Sequence, residues 1–114
     1  MVKIYHNPRC SKSRNSFNYL KEKGIEFETI EYLKTPPTID EIKELLNKLG
    51  IKAEDLIRKG EAIYKEQFKR KELTEEEWIE AMVQYPKLIE RPIVVKDDKA
   101  VIGRPLENVE KLFE

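Results

Sequence analysis

The chain has 114 residues, enough for one domain with a single core, and its 22 basic residues are balanced by 22 acidic ones. That balance argues against general adhesion to nucleic acid or membrane, and no apolar run reaches the roughly 18 residues of a transmembrane helix. One cysteine excludes an internal disulfide and any zinc site built on several cysteines. No signal-peptide core follows Met1, so a cytoplasmic protein with a reduced thiol is expected, with a monomer as the default.

In chain order, Val2 and Ile4 alternate with Lys3 and Tyr5, the pattern of a short strand. His6-Asn-Pro-Arg-Cys10-Ser-Lys-Ser-Arg14 follows and holds the only histidine and the only cysteine. Residues 11–23 read as a helix with Phe17 and Leu20 on one face, stopped by Gly24. Cys10 therefore falls at a strand-to-helix junction, where unpaired helix N–H groups and the helix dipole lower a thiol pKa and can hold an oxyanion. A lone cysteine is more often a small buried hydrophobe, but Arg9, Lys12 and Arg14 surround this one with cationic charge. Residues 25–32 alternate again, and strand–helix–strand predicts a right-handed βαβ unit whose second strand lies at a sheet edge.

Thr35-Pro36-Pro37 breaks the pattern. Thr38 with Glu41 makes a capping box, and Ile42, Leu45, Leu46 and Leu49 give an amphipathic helix ended by Gly50. Residues 52–57 suit one helical turn, Arg58-Lys-Gly60 a basic turn, and residues 62–68 a short helix or a loop. Thr74 with Glu77 repeats the capping box, with Leu73 and Trp78 placed to staple it. Trp78, Ala81, Met82 and Tyr85 continue an apolar face, so the lone tryptophan reads as core. Ile93-Val-Val95 and Ala100-Val-Ile102 flank a turn with Asp97 and Asp98 at its tip, a β-hairpin. Pro105 suits the first turn of a last helix carrying Leu106, Val109, Leu112 and Phe113.

The order βαβ, helices, ββα, with Cys10 after the first strand and Pro92 before the third, resembles the thioredoxin and glutaredoxin fold. Four segments make the resemblance more particular: HNPRCSKSR (6–14), LIRKGE (56–61), ERPIVV (90–95) and IGRPLENV (102–109). Together they closely resemble the glutaredoxin-linked arsenate reductase family, from Lys3 to Leu112. The resemblance implies a single α/β domain over residues 1–114. It would be a thioredoxin-like fold with a four-stranded mixed sheet and an all-helical insertion at about residues 38–86.

The same resemblance makes Cys10 the nucleophile and Arg58, Arg91 and Arg104 the arginines around the oxyanion. It puts His6 near the nucleophile, makes Pro92 the cis proline facing the site, lets Ser13 hydrogen-bond the thiolate, and leaves Arg14 a supporting cation. Guanidinium groups suit a tetrahedral arsenate because they bind its oxygens bidentately and keep their charge. Reduction needs two electrons, and with no second cysteine they must come from outside; the resemblance names glutathione and then glutaredoxin. It implies no metal and no bound organic cofactor, and neither nucleic acid nor membrane as a partner.

Taken singly, Arg58 reads better as a charge at a helix end, Arg91 and Arg104 read as surface residues before prolines, and His6 reads equally as a structural histidine. Convergence favours the site: in such a sheet the loops after strand one and before strand three share an end, so Cys10 and Arg91 should meet. Two alternatives share the scaffold, a thiol reductase of another substrate and an Spx-like regulator that binds RNA polymerase. The regulator typically carries Cys-x-x-Cys, and here the second position is Ser13.

Overall fold

Val2–Tyr5 forms β1, a central strand whose backbone is paired along both edges. The computed structural model describes residues 1–114, and the chain divides into two compact units, Met1–Thr35 with Arg91–Glu114, and Pro36–Glu90. The expected helical stretch, about residues 38–86, falls inside the second unit.

The first unit holds α1 (Ser11–Glu22), β2 (Glu28–Ile30), β3 (Ile93–Lys96), β4 (Lys99–Ile102) and α5 (Glu107–Leu112). Its four-stranded sheet runs β2-β1-β3-β4, with β1 parallel to β2 and antiparallel to β3, and β4 antiparallel to β3. The expected strand at 25–32 shrinks to three paired residues at the sheet edge. Ile25 and Phe27 pack onto the core instead of continuing the ladder. Asp97 turns the β3–β4 hairpin at φ 55, a left-handed conformation that aspartate tolerates.

One buried residue from each of four elements meets in the core: Ile4 of β1, Leu20 of α1, Val94 of β3 and Val109 of α5. Ile4 and Val94 are register partners, so α1 and α5 cover the same sheet face. The last helix begins later than expected. Pro105 lies ahead of it, after a cis Arg104–Pro105 bond, and Leu106 takes the N-cap position.

Gly103 is where these elements come closest. Its N–H donates to the Pro92 carbonyl at 2.8 Å. A Cβ there would stand 2.6 Å from Ser16 Oγ, 2.9 Å from Pro92 Cγ and 3.1 Å from Val109 Cγ2. Gly103→Ala is therefore expected to cost about 1–3 kcal/mol by overpacking. Urea denaturation checks it against Gly60→Ala, where nothing lies within 4 Å and little change is expected.

The second unit contains α2 (Ile39–Leu49), a 3-10 turn (Ala53–Leu56), α3 (Ala62–Gln67), α4 (Glu75–Gln84) and a second 3-10 turn (Pro86–Leu88). Both capping boxes form, Thr38 with Glu41 and Thr74 with Glu77. Each satisfies backbone donors that a bare helix start would leave open. Ile42, Leu45 and Leu46 make the buried face of α2, which packs on α4. Trp78 is core, grouped with the rings of Tyr64 and Phe68, and Phe68 in turn meets Tyr85 edge-on. The second 3-10 turn has no signal in the hydrophobic pattern. It brings Ile89 beside Ile57 in one antiparallel bridge, with Arg58 N–H donating to Leu88 O at 2.6 Å and Glu90 N–H to Leu56 O at 2.9 Å. No helix is long and apolar enough to cross a membrane.

Candidate active site

The loop between β1 and α1 is built on its own short polar residues. Asn7 organises it: its carbonyl accepts the Cys10 N–H and its side-chain Oδ1 accepts the Arg9 N–H, both at 3.0 Å. Arg14 reaches back to donate to the Pro8 carbonyl at 3.0 Å. Arg14 thus supports the loop from the first helical turn. Asn7 was not singled out by sequence reasoning, although Asn-Pro is a turn-starting pair.

This loop places Cys10, partly exposed, as the N-cap residue of α1, whose first turn has no acidic side chain. Partial burial would raise the thiol pKa. The Ser13 backbone N–H, the Arg91 guanidinium, which also acts through its charge, and the Lys12 backbone N–H outweigh that, and the net value lies below the ordinary one. The neutral sulfur makes no full capping hydrogen bond to the helix, so these donors gain most when the sulfur is ionised. The expected meeting of Cys10 and Arg91 thus takes place, through the loop that precedes β3. The Arg91–Pro92 bond is cis, and Pro92 is buried.

Ser13 contributes differently from the simplest expectation. It is its backbone N–H that serves Cys10. Its hydroxyl is buried, accepts the Asn7 N–H at 2.9 Å and lies 2.6 Å from His6 Nδ1. His6 is buried against Phe17, with ring centroids 4.9 Å apart and planes 21° from parallel. Burial holds its pKa below the ordinary value; Glu31 opposes this and Arg14 adds to it. At neutral pH the ring is uncharged.

A pH dependence follows from that shift. Between 6.5 and the lower folded-state value, the unfolded chain binds the proton that the folded chain does not. Stability is then expected to fall as pH drops through that window. His6 is the only histidine, so a His6→Asn variant should lose this slope in urea denaturation followed from pH 7 downward.

Arg104 lies in the first unit between β4 and α5, partly buried, with its carbonyl accepting from Asn108 Nδ2 at 3.4 Å. It is not among the groups that lower the Cys10 pKa. Arg58 belongs to the second unit, and there its guanidinium pairs with Glu61 at 3.5 Å and Glu90 at 3.4 Å. It is an ion-paired side chain within that unit, rather than a cation at carbonyls of a helix end.

Residues 5–112 match the ArsC family. The chain is 54% identical over 110 residues to the uncharacterized protein YfgD of Escherichia coli (strain K12), covering 95% of this chain and 92% of that protein. It is 45% identical over 114 residues to a protein named arsenate reductase in Neisseria meningitidis, covering 98% of this chain and 97% of that one. A solved structure, the arsenate reductase from Vibrio cholerae, superposes with a TM-score of 0.91 at 43% identity, over 96% of this chain and 95% of that one. The four-stranded mixed sheet is thus the thioredoxin-like fold of these proteins, and the chain belongs to the ArsC family.

Proposed function

We propose that this protein reduces arsenate, with Cys10 as the attacking nucleophile. The observation that carries the reading is the pairing of a pKa-lowered Cys10, at the start of α1, with the Arg91 guanidinium. The Cys10 thiolate attacks arsenic, an As–O bond breaks, and a protonated oxygen leaves as water, giving a covalent sulfur–arsenic adduct. Arg91 and the N–H groups of Lys12 and Ser13 stabilise charge on the arsenate oxygens during that step. Arg104 and Arg58 are assigned to the oxyanion from the family resemblance, and Arg104→Ala and Arg58→Ala test them singly.

The adduct holds arsenic at the higher oxidation state, and Cys10 has no second cysteine to pair with. Two external thiols supply the two electrons and leave as a disulfide. One arsenate and two thiols then give one arsenite, one disulfide and one water, and Cys10 is restored. Glutathione, followed by glutaredoxin, is the donor pair this reading assigns.

Arsenate turnover by the wild-type protein with glutathione and glutaredoxin tests it, read as arsenite formed. Turnover supports the reading. A reactive Cys10 with no turnover would overturn it in favour of a thiol reductase of another substrate. A stable complex with RNA polymerase, again without turnover, would favour the regulator.

A further inference from the structure

We propose that Asn108 is a positioning residue for Arg104: its side-chain amide clamps the backbone carbonyls on both sides of Gly103 and so fixes where Arg104 leaves the sheet. This deepens the reading of Arg104 as an oxyanion-binding arginine and rests on it. Asn108 Nδ2 donates to Ile102 O at 3.0 Å and to Arg104 O at 3.4 Å. A primary amide carries two protons on one nitrogen. Both acceptors are carbonyls, so the nitrogen of the side chain, and not its oxygen, faces the bend.

The sheet register shows why this bend matters. Tyr5, Ile93 and Ile102 are register neighbours across three strands. The loop to Cys10 follows Tyr5, Arg91 and Pro92 precede Ile93, and Gly103 and Arg104 follow Ile102. All three segments therefore leave the sheet at one end. Gly103 is fixed by packing: it is buried, its N–H donates to Pro92 O at 2.8 Å, and it lies against Ser16, Pro92 and Val109. Beyond it that packing thins. Arg104 is only partly buried, Pro105 is exposed, and a proline brings no N–H to tie the chain. Asn108 supplies the hold there from the first turn of α5, a helix seated in the core by Val109.

Backbone nitrogen-15 relaxation reads the clamp without arsenate. In the wild type the Arg104 N–H is expected to be as ordered as rigid backbone, with an order parameter of about 0.85. It should fall below about 0.6 in Asn108→Ala and in Asn108→Asp, which keeps the shape without the donor. Arsenate kinetics then read the consequence. Asn108→Ala should lower kcat/KM about tenfold, and Arg104→Ala about 10²-fold. Adding Asn108→Ala to Arg104→Ala should cost less than about a further twofold, because the residue it positions is gone. A merely structural role would lower both backgrounds alike. Cys10 should titrate in Asn108→Ala as in the wild type, since Arg104 is not among the groups that lower its pKa.

An Arg104 N–H equally ordered in wild type and Asn108→Ala would overturn the proposal. So would an undiminished loss in the double variant, or a wild-type rate in Asn108→Ala where Arg104→Ala is impaired. If both Asn108 variants fail to fold, hydrogen exchange of the wild-type Asn108 side-chain amide decides. Exchange slower than at exposed Asn18 supports the clamp, and equal exchange overturns it. A wild-type rate in Arg104→Ala would instead strike at Arg104 as an oxyanion residue. Absent turnover in the wild type would strike at the proposed substrate, with the clamp still decided by relaxation.

Discussion

Cys10→Ser is expected to lower arsenate turnover by about 10³-fold or more, the loss typical when a covalent nucleophile is removed. The reason lies in what the start of α1 can ionise. The Ser13 N–H, the Arg91 guanidinium and the Lys12 N–H bring a thiol below its ordinary pKa. The same donors cannot bring an alcohol into the physiological range, and an alcohol is a far poorer nucleophile toward arsenic. Oxyanion binding should survive, because those donors remain, so the variant should lose kcat while still binding arsenate. Steady-state kinetics alongside direct arsenate binding distinguishes this from misfolding, and equal rates in variant and wild type would end the mechanism. A stability signature accompanies it. The folded-state thiol pKa lies below the unfolded one, so its stabilisation appears as pH rises through the folded value and is complete above the unfolded one. Cys10→Ser should lose that rise.

Arg91→Ala is expected to cost about 10²–10³-fold in turnover, the scale of removing one preorganised charge from a developing oxyanion. Two effects combine in it. The thiolate loses a hydrogen bond and a nearby positive charge, so Cys10 should titrate higher than in the wild type. On the proposed reading, the arsenate oxygens lose a guanidinium partner as well. Arg91→Lys separates the two, since it restores charge without the planar fork. It should recover the Cys10 titration better than it recovers turnover. Wild-type thiol titration and wild-type rate in Arg91→Ala would show that the pairing has no role in the chemistry.

Much of this site and its scaffold was legible from short segments. The capping boxes at Thr38 and Thr74 needed only residues three apart, and both formed. The βαβ order and the hairpin at Asp97 followed from alternation and turn chemistry. Shared sheet geometry was enough to expect that Cys10 and Arg91 would meet. Other features were set by distant neighbours. Ile25 and Phe27 alternate like strand residues, yet they pack against the core outside the ladder, and β2 has three paired residues. Pro105 fits a helix start by type, but the helix begins after it. The 3-10 turn at Pro86–Leu88 carries no periodic pattern, and it sets the bridge that brings Glu90 beside Arg58.

Local chemistry alone assigned this chain its order of strands and helices, the two capped helix starts at Thr38 and Thr74 and a thiol at a strand-to-helix junction, because strand alternation, caps and a lone cysteine are properties of neighbouring residues. Packing decided the partners around that thiol. It gave the Ser13 hydroxyl to His6 and Asn7 and the Ser13 backbone N–H to Cys10. It made the one histidine a buried, uncharged ring and gave the Arg58 guanidinium to two carboxylates. These outcomes depend on burial and on partners far apart in sequence, and both arise only when the chain is folded.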